Sequence, residues 1–222
     1  MVLQKEKLNR LFTKIKRCLS CFCKETVKYL IKVKNIKSIL FLPEGCSRSS
    51  ALANKYLKGL RGIEIGGSSY NDFFLNTINI DCDVNPIQHK YGEIVKVDII
   101  AEGDNLPFKD NIFDFVLTSH VLEHMWDPIK TLNEWIRVIK PNGYVFMIIP
   151  HKERTFDKPR QRTSLNELIK RHECKDPLTR THYNVWITED VLELCRYLNL
   201  NVIDFQDKDD KIGNGFTIVI KK

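Results

Sequence analysis

The 222-residue chain has an ordinary globular composition, 43% hydrophobic and 28% charged, and lacks the run of ~20 apolar residues that a transmembrane helix requires. Of the formal net charge of +7, residues 1–37 contribute +9 and the remainder contributes −2. The basic character therefore belongs to the leader, which disfavours nucleic-acid binding by the body of the protein. With seven cysteines, an odd number, and no secretory pattern, we expect reduced thiols and a cytoplasmic location.

The leader is predicted to be an amphipathic helix. Within residues 3–34, apolar residues recur with helical spacing: Leu8, Leu11, Phe12, Ile15, Leu19 and Phe22. One interpretation docks this helix on the body or on a protein partner, with its basic face in solvent. The other places it on an anionic membrane surface, which makes the protein peripheral to the membrane. We predict residues 1–45 as a helical extension and residues 46–222 as one domain.

Three cysteines of the leader have a spacing that resembles part of a metal site. Cys18, Cys21 and Cys23 are closely spaced, but no second pair follows at a zinc-finger distance, and the segment is predicted to be helical. We therefore expect no metal site in this protein.

Strand and helix patterns alternate along the body. Pro141–Gly143 is predicted as a turn, and Ser49 or Ser50 as a helix cap. The predicted elements are helix Ala51–Leu57, strands Arg61–Ile65, Thr77–Asp81, Val95–Ala101 and Phe113–Ser119, helix Pro128–Val138, strand Tyr144–Ile149, helices Leu165–Arg171 and Glu189–Tyr197, and strands Asn201–Phe205 and Phe216–Ile220. Such alternation predicts an open α/β sheet.

A glycine turn, Gly66-Gly67-Ser68, follows the first strand. Small residues there leave backbone amides accessible to an anionic group. Only about eleven residues separate this turn from the second strand, fewer than the dozen or more of a normal crossover, so the connecting helix is predicted to be short or irregular.

Several linked motifs between about residues 60 and 150 resemble a known family. Val97–Phe108, Phe113-Asp114, His120–His124 and Trp135–Gly143 resemble the "LPF…FD…vleH…RvlkPgG" core of class I S-adenosylmethionine-dependent methyltransferases. The resemblance implies a Rossmann-like, seven-stranded, mostly parallel sheet with helices on both faces. The segments Gly62–Ser68, Pro150–Asp157 and Trp186–Asp190 are also similar to a bacterial subgroup associated with surface polysaccharide and glycan assembly.

The resemblance implies S-adenosylmethionine as the cofactor and assigns residues to its parts. Glu64 and the glycine turn would meet the methionine end, Asp81 the ribose, with Asp83 as a nearby alternative, and Glu102-Gly103 the adenine. Ser119 would lie at the edge near the methyl group. The cofactor-binding residues are thus Glu64, Gly66, Gly67, Ser68, Asp81, Glu102, Gly103 and Ser119. The sequence departs from the family at Ser68 and Tyr70, which replace the second and third glycines.

Histidines beyond the fourth strand are the candidates for catalysis. A histidine near its ordinary pKa suits proton removal from an acceptor hydroxyl, so His120 is the first candidate for a general base and His151 the second. His124 is predicted to be structural and Glu123 to cap a helix or lie near the cofactor. The insert at about residues 151–185 is predicted to hold the acceptor through four residues: Arg154, Asp157, Arg160 and His182.

The expected reaction is methyl transfer to a hydroxyl of a sugar or glycan intermediate. Three alternatives remain: an RNA or protein methyltransferase that docks through the leader, a methyltransferase for a lipid-like substrate at the membrane, and a binding protein that has lost transfer chemistry.

Overall fold

The computed structural model describes residues 49–67, 73–82, 97–173 and 182–222. The predictions for residues 1–37, for the leader cysteines, for Ser68 and for Asp83 lie outside this part of the chain, so the domain boundary at residue 45 also remains a prediction. The elements are α1 (Ala51–Leu57), β1 (Arg61–Ile65), β2 (Asn76–Asp81), β3 (Ile99–Ile100), β4 (Phe113–Ser119), a 3-10 turn (Leu122–His124), α2 (Pro128–Val138), β5 (Ile139–Pro150), a 3-10 turn (Lys152–Arg154), α3 (Leu165–Glu173), α4 (Thr188–Tyr197), β6 (Asn201–Gln206) and β7 (Gly215–Lys221).

One seven-stranded sheet organises these elements. Its order is β3-β2-β1-β4-β5-β7-β6, and β7 runs antiparallel to both of its neighbours while the other pairs are parallel. The first crossover from β1 moves outward to β2, and the chain later returns to place β4 on the other side of β1. This reversal opens the crevice at the carboxyl ends of the strands where α/β folds bind ligands. The predicted mostly parallel sheet is confirmed.

The central strands are buried on both faces, as their continuous apolar sequences predict. Along β4, Val116 packs in a core shared with Trp135 and Leu132 of α2, whereas Phe115 and Leu117 pack on the opposite face with Leu57 of α1. The alternation follows from the two-residue period of a strand. Helices thus cover both faces of the sheet.

Two helix starts carry the caps that their sequences indicate. The Ser50 side chain accepts a hydrogen bond from the Ala53 amide at 2.9 Å, and the Asp127 side chain accepts one from Lys130 at 2.9 Å. Pro128 occupies the first turn of α2, where its missing N–H costs no hydrogen bond. No helix in the described parts of the chain has the length and apolar character that crossing a bilayer requires.

The third strand is shorter than predicted. Only Ile99–Ile100 pairs with β2, although the sequence predicted a strand over Val95–Ala101, whose first two residues lie outside the described part. The Asp98 carboxylate accepts a hydrogen bond from the Asn79 amide at 3.1 Å. The Asp98 amide still donates to the carbonyl of Asn79 at 2.9 Å, but its side chain takes the Asn79 amide that a regular ladder would pair with a carbonyl.

The predicted turn at Pro141–Gly143 is instead part of β5. Asn142 has a φ of 66°, and its amide donates to the carbonyl of Lys222 at 3.0 Å. The β4–β5 register shifts between Phe113 and Phe115 to accommodate these residues as a bulge. Asparagine tolerates the left-handed backbone that both turns and bulges use. The same sequence signal is therefore compatible with a turn and with this bulge.

The connection between β6 and β7 is built around a buried aspartate. Asp209 is 3% exposed, and its carboxylate accepts hydrogen bonds from four backbone amides, those of Lys211, Ile212, Gly213 and Gly215. Burial alone would raise the pKa of Asp209, but these donors lower it below its ordinary value.

This lowered pKa predicts an acid-sensitive contribution to stability. The contribution is present above the unfolded pKa of ~3.9 and is lost as the pH falls through the lower folded pKa. Asp209→Asn, which loses charge-assisted bonds, should destabilise the protein by at least ~2 kcal/mol at pH 7, and the difference from wild type should shrink below pH 4. Urea unfolding at a series of pH values tests this, with exposed Asp110→Asn as the control; a difference independent of pH would contradict it.

Candidate active site

The carboxyl ends of the parallel strands bring the predicted cofactor residues to one edge. The Gly66 amide donates to the carbonyl of Ile80 at 2.8 Å, which places the glycine turn directly beside Asp81. The carbonyl of Asp81 in turn accepts from the Ala101 amide at 3.0 Å, next to Glu102. Three predicted segments, distant in sequence, therefore lie side by side along the edge.

The turn after β1 requires glycine for two separate reasons. Gly66 has a φ of +68°, and a Cβ there would lie 2.5 Å from Cγ2 of Val121. A Cβ on Gly67 would lie 2.4 Å from Oδ1 of Asn79. Larger side chains are thus excluded by the packing of the protein itself.

Glu64 lies beneath this turn, as the resemblance implies. Its carboxyl carbon would be 3.2 Å from a Cβ on Gly67, and its Oε2 accepts from the hydroxyl of Thr77 at 3.4 Å. A carboxylate at this position fits a cationic amine, although its contact with cofactor stays a prediction.

The loop predicted to meet the adenine is fixed by helix α2. Trp135 donates through Nε1 to the carbonyl of Gly103 at 2.8 Å, and Glu134 accepts from the Leu106 amide at 2.7 Å. A Cβ on Gly103 would lie 2.7 Å from Cε of Met125, so glycine is required here as well. Glu102 is exposed at the start of the loop. Sequence reasoning missed Trp135, because an indole in a helical apolar stripe is usually a core residue.

His120 follows β4 immediately and has an unusual backbone. Its φ is 56°, and its amide donates to the carbonyl of Ile148 at 2.9 Å. Ser119, which precedes it, is 3% exposed. Burial lowers the pKa of His120, while Asp209 and Asn214 oppose that shift. The imidazole is therefore neutral near pH 7 and able to accept a proton.

His151 is positioned at the end of β5 as a helix cap. Its Nδ1 accepts from the Glu153 amide at 3.1 Å, and its Nε2 lies 3.8 Å from Oδ1 of Asp207. Burial and the neighbouring Arg154 lower the pKa of His151. These contacts give the ring a structural task, and its catalytic role remains a prediction.

Three of the four predicted acceptor residues form one cluster. Asp157 binds Arg160 at 2.6 Å and Nδ1 of His182 at 2.8 Å, and Arg160 also donates to the carbonyl of His182. Burial favours the neutral acid, but these two partners lower the pKa of Asp157. Arg154 is not part of this cluster, because it pairs with Asp207 at 3.1 Å.

Glu123 and His124 are the residues whose position sequence reasoning missed. The Glu123 side chain is completely buried, and its Oε1 lies 3.7 Å from Nδ1 of His120, 3.7 Å from Nε2 of His124 and 3.9 Å from Nε2 of His182. Burial is the main reason that the pKa of Glu123 is raised to about 8; its own backbone amide opposes this rise, and Asp157 contributes to it. The spacing His120-x2-Glu123-His124 was the available sequence signal for such a cluster. Its remaining member, His182, lies 59 residues after Glu123 and is not part of that pattern.

The sequence that forms this edge of the sheet is similar to that of known proteins. A family model described as "Methyltransferase domain" matches residues 66–147. These residues begin at the glycine turn and include the loop beneath α2 and all of β4. Residues 66–147 of this chain are therefore similar to class I methyltransferase domains. S-adenosylmethionine is the cofactor that this match implies, and the Glu64 carboxylate beneath the glycine turn suits its cationic amine.

Proteins of archaea and bacteria are similar to parts of this chain. An uncharacterized protein of Methanocaldococcus jannaschii is 37% identical over 114 residues, covering 50% of this chain and 55% of that protein. A Mycolicibacterium smegmatis protein, named a probable S-adenosylmethionine-dependent methyltransferase, is 32% identical over 105 residues, 46% of this chain and 39% of its own length. The chain thus spans about half or less of these two curated relatives.

A solved structure shows the same fold as this chain. The crystal structure of a SAM-dependent methyltransferase from Aquifex aeolicus superposes with a TM-score of 0.54, at 16% sequence identity, over 90% of this chain and 98% of that one. The seven-stranded Rossmann-like architecture implied by the sequence is therefore confirmed.

Proposed function

We propose that this protein transfers a methyl group from S-adenosylmethionine to a hydroxyl of a sugar or glycan intermediate. The observation that carries the proposal is the edge itself: a glycine turn of the type found in methyltransferases and Asp81 lie on the same sheet edge as the partly buried His120 and a cluster of charged groups. The methyl-transfer part is supported by the matched domain, and the acceptor part by the chemistry of the neighbouring side chains.

The cofactor would be held by groups from three strand ends. Glu64 and the amides of Gly66 and Gly67 suit the amine and carboxylate of the methionine portion, and Asp81 suits the ribose hydroxyls, because one carboxylate accepts two hydrogen bonds at once. Glu102 and the Gly103 amide suit the adenine. When bound, the cofactor supplies an electrophilic methyl group.

His120 is proposed as the general base. A hydroxyl is a weak nucleophile until its proton is removed, and a neutral imidazole held at the end of β4 can take that proton during attack. The left-handed backbone of His120 and its amide bond to Ile148 fix where the ring emerges. Positioning of this kind contributes to rate by aligning the acceptor oxygen for in-line displacement.

The acceptor would lie against the cluster of Asp157, Arg160 and His182. Carboxylate and guanidinium groups bind sugar hydroxyls or a phosphate through charge-assisted hydrogen bonds. Phe156 is 75% exposed, and its ring lies 4.9 Å from that of His182. An exposed aromatic ring beside polar groups supports a ligand that has both apolar C–H faces and hydroxyls, as a pyranose does.

Titration calorimetry of the full-length chain with S-adenosylmethionine and its demethylated product tests the cofactor part. Wild type should bind both, and Asp81→Ala should weaken binding about 100-fold, because two bonds to a charged acceptor are lost. Asp204→Ala is the control. Asp204 lies on β6, the edge strand at the far side of the sheet, where its carboxylate pairs with Lys55. No binding by wild type, or equal binding by Asp81→Ala, would refute the assignment.

The acceptor is tested by supplying isotope-labelled methyl donor with nucleotide sugars and lipid-linked glycans. Label on a sugar oxygen supports the proposal. Label found only on RNA, on protein or on a nitrogen atom would refute the acceptor class while leaving methyl transfer intact.

A further inference from the structure

The feature that the reaction scheme leaves unexplained is the buried carboxylate of Glu123. The side chain is 0% exposed, and neither carboxylate oxygen has a hydrogen-bond partner in another residue of the described part of the chain. The imidazoles of His120, His124 and His182 face Oε1 at 3.7–3.9 Å, which is beyond hydrogen-bond length. A buried acid and three imidazole nitrogens at this spacing are donor types that bind divalent transition-metal ions.

His182 makes the kind of hydrogen bond that orients histidine ligands of metals. Nδ1 of His182 lies 2.8 Å from Oδ2 of Asp157, which is itself 2% exposed and paired with Arg160. A proton on Nδ1 that is donated to this carboxylate leaves the lone pair on Nε2, the atom that faces Glu123. Carboxylate–histidine pairs of this kind orient most histidine ligands of protein metals and increase their basicity.

We propose that Glu123, His124 and His182 bind one divalent transition-metal ion of the zinc class. Their ligand atoms lie within 4.8 Å of one another. A tetrahedral site with bonds of 2.0–2.1 Å separates its ligand atoms by about 3.3 Å, so modest side-chain rotations close the site. His124 is 38% exposed at the side chain, which gives the ion a path from solvent.

The donor set decides the class of metal. Two imidazoles and one carboxylate suit zinc, cobalt or iron, whereas magnesium and calcium prefer oxygen ligands throughout. Three protein ligands also leave one coordination position open, which is typical of catalytic rather than structural zinc sites.

The open position has a use that rests on the proposed function. It would take an acceptor hydroxyl, whose acidity a metal increases, next to His120, whose Nδ1 faces the same oxygen of Glu123 at 3.7 Å. The metal site itself does not depend on this role, and it is tested without any measurement of turnover.

The experiment is a titration of chelator-treated, full-length protein with Co²⁺, followed by visible absorption, and with Zn²⁺ as competitor. Wild type should bind one ion per chain. Glu123→Gln and the partly exposed His124→Gln should weaken binding at least 100-fold, whereas Asp157→Asn, which removes only the orienting carboxylate, should weaken it 10- to 100-fold. His172→Gln is the matched control, since His172 pairs with Asp127 outside the cluster.

Each outcome is decisive because folding and cofactor binding are followed separately. Thermal unfolding in chelator shows that the variants fold, and added Zn²⁺ should then raise the midpoint of wild type and His172→Gln but not of His124→Gln. Failure of wild type to bind stoichiometric Co²⁺, or equal binding by His124→Gln, overturns the metal site. If the protein binds S-adenosylmethionine but does not bind the metal, only this inference is overturned. If it binds the metal but does not bind S-adenosylmethionine, only the proposed function is overturned.

Discussion

Replacement of His120 by Asn is expected to reduce the turnover number by a factor of ~10² to 10⁴, the range that a general base contributes. Asparagine is the appropriate substitution because His120 has a φ of 56°, and asparagine tolerates left-handed backbone better than most residues. The side-chain amide cannot accept the proton from a hydroxyl. Single-turnover rates with saturating cofactor and acceptor measure the effect on chemistry alone.

Cofactor binding separates loss of the base from general damage at this edge. The affinity of His120→Asn for S-adenosylmethionine, measured by calorimetry, should stay within a few-fold of wild type, and His172→Gln should leave the rate unchanged. A turnover number within threefold of wild type would exclude His120 as the base and would direct attention to His151.

Replacement of Gly66 by Ala is expected to have the largest effect on the cofactor site. A side chain at a φ of +68° costs about 1–2 kcal/mol, and the new Cβ would lie 2.5 Å from Cγ2 of Val121. The turn must shift to relieve that contact. We expect destabilisation of about 2–4 kcal/mol and at least a tenfold loss of affinity for S-adenosylmethionine, measured by urea unfolding and calorimetry.

Gly59 provides a matched control for this substitution. It has a φ of +83°, but no atom lies within 4 Å of an added Cβ. Gly59→Ala should therefore cost only the backbone strain, about 1–2 kcal/mol, and leave cofactor affinity unchanged. If both variants bind the cofactor equally, the turn at Gly66 is not part of the site.

The fold was predictable because its signals are local. The apolar run of β4, Pro128 and its cap Asp127, and the helical stripe of α2 each determine an element within a few residues. The errors occurred where a single contact outweighed the pattern. The Asp98 carboxylate replaces a backbone carbonyl as the partner of the Asn79 amide beside β3, and Asn142 fits a bulge as well as it fits a turn.

The candidate site was predictable in part for a geometric reason. Residues that follow parallel strands meet at one edge, so Gly66, Asp81 and His120 were expected to lie near one another. The environment of Glu123 was not predictable, because its burial and its contact with His182 depend on how the segment after β5 packs against the end of β4. No pattern in the sequence specifies that packing.

The hydrogen bonds that α2 makes to the loop at Gly103 have a consequence for binding thermodynamics. Trp135 and Glu134 hold this loop through protein–protein hydrogen bonds, so its conformational entropy is lost during folding and not during association. The loop that is predicted to meet the adenine is thus preorganised. A substitution in α2 that breaks these hydrogen bonds should lower the affinity for the cofactor, because the loop would then lose conformational entropy on binding. Trp135 and Glu134 would have this effect without being among the residues predicted to contact the cofactor.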